Sequence, residues 1–229
     1  MSEPEVDQPL SEAAVQADLR TLSFGRALRC LDVVGSTNDA AREWAEAGAP
    51  EGAVITAEEQ TAGRGREGRR WHCARGRGLL FSVVLRPACP AREAGRIAAV
   101  MGIGTAQAIA THIALPIRLK PPNDLILQGR KLGGILVESQ LHGERIAYAV
   151  AGLGINANGS ADGLPAELRN QAITIETALG RPLPRAPLLR QLLEDLESVW
   201  STFTSAGWVG LELEWERLTI PGRADGGTL

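Results

Sequence analysis

Sixteen consecutive residues, Gly63 to Gly78 (GRGREGRRWHCARGRG), hold six arginines and five glycines, with Glu67 as the single acid. So many like charges repel one another and offer little to bury, so the stretch alone is expected to be mobile. Glycines let backbone N–H groups approach a ligand closely, and guanidinium forks clamp carboxylate or phosphate. The chemistry implied is a loop that orders around an anion. The alternatives are a plain solvated basic loop and an arginine–glycine segment for single-stranded nucleic acid. Against the latter, Trp71 is the one aromatic in the stretch and the whole chain carries a net charge of −3.

The remaining basic residues are arginine with two exceptions, Lys120 and Lys131, eleven residues apart. An ammonium is a compact, mobile point charge that a guanidinium does not replace, although arginine-favouring codon usage is the bland explanation. Ser36-Thr37-Asn38 supplies helix-capping chemistry and short polar side chains. Asn123 and Asp124 are turn formers, and Gly133-Gly134 permits close backbone approach in an otherwise apolar strand. His72, His112 and His142 show neither triad partners nor metal-ligand spacing, and neither do Cys30, Cys73 and Cys89.

These residues need a scaffold. Strand patterns run over Leu28–Val34, Ala53–Ala57, Leu79–Leu85, Ile117–Lys120, Leu125–Gln128, Leu132–Glu138 and Arg145–Ala151, the last leading into Gly152-Leu153-Gly154-Ile155-Asn156. Helical periodicity covers Asn38–Ala47, Ala91–Ile113 and the run from Leu188 to Phe203. Several strands join by tight turns, which demands antiparallel pairing and predicts an α+β domain with a mixed, mostly antiparallel central sheet flanked by helices. Residues 1–20 read as a flexible N-terminal segment and 21–229 as one domain. No apolar run nears the roughly 20 residues of a membrane span, and no secretory signal is visible, so a reducing cytoplasm is expected.

The run from Gln60 to Trp71 (QTAGRGREGRRW) resembles the glycine/arginine signature of biotin–protein ligases. Three further pieces follow that family's order: Ser36-Thr37-Asn38 upstream, PPND through GRKLGGILVE at Pro121–Glu138, then GLGIN at Gly152–Asn156. The resemblance covers roughly residues 28–216. It implies a class II aminoacyl-tRNA synthetase/biotin ligase-like fold and an ATP-dependent ligase. That ligase activates biotin as biotinyl-5′-AMP and passes it to a lysine of the biotin carboxyl carrier protein of a biotin-dependent carboxylase. It further implies catalytic roles for Lys131, Arg66 and Arg69. Biotin would be bound by Ser36, Thr37, Asn38, Gln60, Arg64, Gly65, Arg66, Trp71, Lys131 and Gly134. ATP would be bound by Arg66, Arg69, Lys120, Asn123, Asp124 and Asn156, with Mg²⁺ at Asp124.

The match departs from the family in three places. Pro121 stands where the family usually has tryptophan. No DNA-binding helix-turn-helix is expected, because about 27 residues precede the first strand. The SH3-like C-terminal barrel is expected to be absent or truncated, because thirteen residues follow Glu216. No nucleic-acid or membrane partner is expected, and the chain reads as monomer or homodimer. Lipoate-type ligation and non-catalytic binding of biotin or its adenylate are the alternatives. The biotin-type loop disfavours the first, and retention of Lys131 with the loop arginines disfavours the second.

Overall fold

A computed structural model describes residues 8–161 and 165–220. Residues 1–7 of the expected flexible segment, and 221–229 where the barrel was expected to be missing, lie outside them. Seven strands form one sheet: β1 (Leu28–Val34), β2 (Val54–Gln60), β3 (Gly78–Leu85), β4 (Arg118–Lys120), β5 (Asp124–Leu127), β6 (Arg130–His142) and β7 (Arg145–Asn156). Their order is β1-β2-β3-β7-β6-β5-β4. Only β1 and β2 run parallel; every other neighbouring pair is antiparallel, as the tight turns predicted. The helices are α1 (Glu12–Gln16), α2 (Thr37–Glu46), α3 (Ala94–Ile113), α4 (Ala166–Arg169), α5 (Ile175–Leu179), α6 (Arg185–Ala206) and α7 (Glu212–Leu218).

Side chains on a strand alternate between faces, and this sheet uses its two faces differently. Along β7, Ala149, Ala151, Leu153 and Ile155 enter the main core, where α3 and α6 supply Ile97, Val100, Met101, Leu189, Leu192 and Leu196. Tyr148 and Val150 face the other way, into a smaller cluster with Ala41 and Ala45 of α2. The next residues of that second face are Gly152, Gly154 and Asn156. Glycine is tolerated inside α3 for packing reasons: a Cβ at Gly104 would stand 3.1 Å from the Leu196 backbone, so its absence lets α3 and α6 approach closely.

Residues 8–20, part of the segment read as flexible, pack on the domain. Leu10, Val15 and Leu19 are buried in the main core, Ser11 accepts a capping hydrogen bond from the Ala14 N–H, and Arg190 donates to the Ala14 and Val15 carbonyls. Three apolar side chains among polar ones were enough to anchor the segment. The GLGIN run continues β7 itself, paired to β3 from Leu79↔Ile155 to Ser82↔Gly152.

The segment expected to be mobile folds as a hairpin. Trp71 N–H donates to the Gly63 carbonyl at 3.0 Å, and Gly65 N–H donates to that of Arg69 at 2.7 Å. A 3₁₀ turn at Arg66–Gly68 closes the tip, with Glu67 in the left-handed region (φ 57°). Carboxylates from elsewhere offset its self-repulsion: Asp39 and Glu138 meet Arg64, and Asp32 and Glu59 meet Arg75.

Candidate active site

A cavity of about 670 Å³ opens on the α2 face of the sheet, above the end of β7. Every residue singled out from the sequence as catalytic or ligand-binding lines it. One end is built by α2, β2 and β3. Ser36 holds the N-cap position of α2, yet its hydroxyl makes no capping bond. The Thr37 N–H instead donates to Gln60 Oε1 at 2.7 Å, and the Thr37 hydroxyl donates to the same oxygen at 3.0 Å. Ser82 Oγ lies 2.8 Å from Thr37 Oγ1 and 2.7 Å from Asn38 Oδ1. The Asn38 amide then donates to Glu138 Oε2 at 2.7 Å. Ser36, Thr37, Asn38 and Ser82 are buried, so this polar chain is held rigidly.

Two glycines make room for it. A Cβ at Gly152 would stand 2.0 Å from Asn38 Oδ1, and one at Gly154 would stand 2.6 Å from Trp71 Cε2. The Trp71 ring therefore lies on bare backbone of β7. Its Nε1–H is buried with no hydrogen-bond partner among the described residues. A buried indole N–H normally finds an acceptor, so this donor suits a polar ligand in the cavity.

The other end carries charge. Lys131 Nζ sits 2.5 Å from Asp124 Oδ1 and 6.0 Å from the centroid of the Trp71 ring, with Gly134 beneath both. Lys120, at the end of β4, is exposed and makes no ion pair among the described residues. Arg66 and Gly65 reach the cavity from the hairpin; the Arg66 carbonyl accepts from the Arg69 N–H, while its guanidinium has no ion pair or hydrogen bond among the described residues. Arg69 pairs with exposed Glu67 at 2.5 Å, which holds the Glu67 carboxyl below its ordinary range. Asn123 donates its side-chain amide to the Ile135 carbonyl at 2.8 Å, and Asn156 donates to that of Ile173 at 3.2 Å. Both amides thereby brace the cavity wall. The peptide between Pro121 and Pro122 is cis.

The metal expectation has no support in the side chains. Among the described residues, no three His, Cys, Asp or Glu side chains converge, and Asp124 already faces Lys131. Sequence reasoning also missed Gly152 and Gly154, which line the cavity, and Asp39, Ser82 and Glu138, which bond to lining residues without lining it themselves. His72, which shows neither a triad partner nor metal-ligand spacing in the sequence, lines the cavity as well. Cys73, in the same Gly/Arg segment, is half-buried, and burial pushes its thiol up to about 11.

The sequence profile of the Biotin/lipoate A/B protein ligase family matches residues 30–156. Among curated proteins, the Bifunctional ligase/repressor BirA of Bacillus spizizenii is 34% identical over 92% of this chain and 65% of its own length. The Biotin–[acetyl-CoA-carboxylase] ligase of Mycobacterium tuberculosis is 34% identical over 83% of this chain and 70% of its own. The chain thus spans just under two thirds of the bifunctional relative. Among solved structures, a biotin protein ligase from Aquifex aeolicus in complex with biotin and ATP superposes with a TM-score of 0.73 at 28% identity, covering 85% of this chain and 79% of that one. No helix among the described residues is long and apolar enough to cross a membrane.

Proposed function

Because the chain belongs to the biotin/lipoate A/B protein ligase family, we propose that it activates biotin with ATP and transfers it to a lysine of a biotin carboxyl carrier protein. Its mixed sheet is the expected class II aminoacyl-tRNA synthetase/biotin ligase-like fold. One observation carries the reading: a pocket of hydroxyl and amide side chains and a group of cations, of which Lys120 and Arg66 have no side-chain ion pair among the described residues, share a single cavity. Biotin has that same division, with a polar, uncharged ureido ring at one end and a carboxylate at the other.

In the first step a biotin carboxylate oxygen attacks the α-phosphorus of ATP. The bond to the bridging oxygen breaks, pyrophosphate leaves, and a mixed anhydride forms. Negative charge crowds together there, so catalysis is chiefly electrostatic and positional. Lys131 is assigned to the carboxylate and α-phosphate, aimed by Asp124. Arg66, Arg69 and Lys120 are assigned to the phosphates, with Asn123, Asp124 and Asn156 beside the nucleotide. Ser36, Thr37, Asn38 and Gln60 are assigned to the ureido ring, whose N–H groups donate and whose carbonyl accepts. Trp71, Gly65 and Gly134 shape the slot between the two ends. Mg²⁺ would arrive on the phosphates of ATP, the usual arrangement for a cation that keeps its waters. In the second step a carrier lysine attacks the acyl carbon, forming an amide and releasing AMP.

The test is biotin-dependent AMP and pyrophosphate release by the purified chain, with and without a carrier domain. Release that rises with carrier is expected; biotin binding without AMP release would instead mark a binding protein, and preference for lipoate a lipoate ligase. Lys131→Ala is expected to abolish adenylate formation and leave the circular dichroism spectrum unchanged. This side chain is more than a third exposed and fills no core. Near-normal turnover in that variant would overturn the assignment.

A further inference from the structure

Arg64 is the one hairpin arginine facing the cavity that two carboxylates from the body of the domain grip at once. Its Nη1 meets Asp39, in the first turn of α2. Its Nη2 lies 3.0 and 2.9 Å from the two oxygens of Glu138, on β6. Glu138 takes a second hydrogen bond, from the Asn38 amide at 2.7 Å. It therefore sits at a node between the polar pocket and the hairpin. From the resemblance Arg64 was expected to bind biotin, but its fork is already occupied on both sides. We propose that Glu138 is a positioning residue: together with Asp39 it holds Arg64 as a latch that keeps the Gly63–Trp71 hairpin shut over the cavity, and so keeps an acyl-adenylate inside until its acceptor arrives. The retention of an adenylate rests on the function proposed above; the latch itself does not.

The geometry supports the latch at three points. The hairpin's own hydrogen bonds, Gly65 to Arg69 and Trp71 to Gly63, tie it only to itself. Its outer arginines bind within the segment's surroundings, Arg69 to Glu67 and Arg70 to the Thr61 carbonyl, and among the described residues neither makes a side-chain hydrogen bond or ion pair to the sheet beyond β2. Arg64 alone among them reaches α2 and β6. The Arg64 guanidinium also holds the Asp39 carboxyl below its ordinary range, so this contact remains ionic at neutral pH. Shielding a mixed anhydride from water and stray amines is what such a closure accomplishes.

Glu138→Gln separates the two duties of this residue. The amide oxygen can still accept from Asn38, whereas the charge facing Arg64 is gone. Trypsin reads the latch directly, because Arg64, Arg66, Arg69 and Arg70 are all in the hairpin and cleavage reports how often it opens. Nicking within residues 64–70 is expected about fivefold faster in the variant, the size of losing one half-exposed ion pair. Carrier-independent escape of acyl-adenylate, seen as labelling of an added amine, should rise by about the same factor, with the KM for biotin within about twofold of the parent. Unchanged nicking would overturn the latch, and so would a raised KM without faster nicking. If global unfolding accompanies the change, Arg64→Gln and the double variant decide. Two single effects that merge in the double variant support the pairing; two that simply add remove it. A parent protein that releases no AMP would sink the proposed ligase function, while the nicking arm would still judge the latch.

Discussion

At the scale of single residues, the site depends as much on missing side chains as on those present. Gly154 is where the Trp71 ring lies on β7, and a Cβ there would come within 2.9 Å of both Nε1 and Cζ2. Contacts that short force the ring away, because interiors tolerate little added volume. Gly154→Ala is therefore expected to weaken biotin binding by at least about tenfold, the effect of misplacing one well-packed aromatic anchor. A changed tryptophan emission in the free protein would accompany it, and isothermal titration would measure the affinity. Unaltered affinity would mean that Trp71 does not shape the biotin slot. Gly152→Ala meets Asn38 even more directly.

At the scale of elements, one carboxylate of α6 gathers four donors from the described N-terminal stretch. Glu197 accepts from the backbone N–H groups of Leu22, Ser23 and Phe24 at 2.7, 2.6 and 2.9 Å, and from the Ser23 hydroxyl at 2.8 Å. Burial alone would raise its pKa, but these donors outweigh burial and the net shift is downward. A depressed folded-state pKa stabilises the protein above the unfolded glutamate value of about 4.3 and loses that contribution as pH falls through the folded value. Glu197→Ala is expected to cost roughly 1–3 kcal/mol at neutral pH, because four donors lose their acceptor. Its deficit against the parent should shrink in urea melts below about pH 4. A deficit that stays constant with pH would show that the carboxylate charge is not what holds the loop.

Element type was legible wherever periodicity is local, and this includes α3, α6 and the antiparallel hairpins from β4 to β7. Other features were hidden because their causes are distant in sequence. The Gly/Arg segment reads as mobile until Asp39 and Glu138, 25 and 74 residues from Arg64, are brought to it. The motif residues could be named because they stand together in short runs. Ser82 sits unmarked inside an apolar strand, and only the Ser82↔Gly152 register across β3 and β7 reveals its place beside Asn38.

At the scale of the whole molecule, a buried ion pair joins the sheet to the long helix. Arg185, 1% exposed at the start of α6, donates to Glu58 of β2 at 2.7 Å, to the Gly78 carbonyl at 3.2 Å and to that of Gln8 at 3.1 Å. Glu58 also accepts from the Leu10 N–H at 2.8 Å. Arg185→Leu would leave Glu58 buried without its cation and is expected to cost roughly 3–5 kcal/mol. By contrast, Arg217→Ala, at a pair whose arginine is 67% exposed, should be nearly silent. Thermal melts of the two variants would decide; equal shifts would remove Arg185 as the anchor of α6. The alternation along β7 has a wider consequence. Its odd-numbered residues build the core and its even-numbered residues build the cavity wall, so one strand carries two independent records. Substitutions at 152, 154 and 156 can retune what the cavity holds while 149, 151, 153 and 155 keep the domain folded. Inserting a single residue upstream of Ala149 would exchange the two sets and lose both at once. Descent with modification at this site is therefore open to replacement and closed to a change of length.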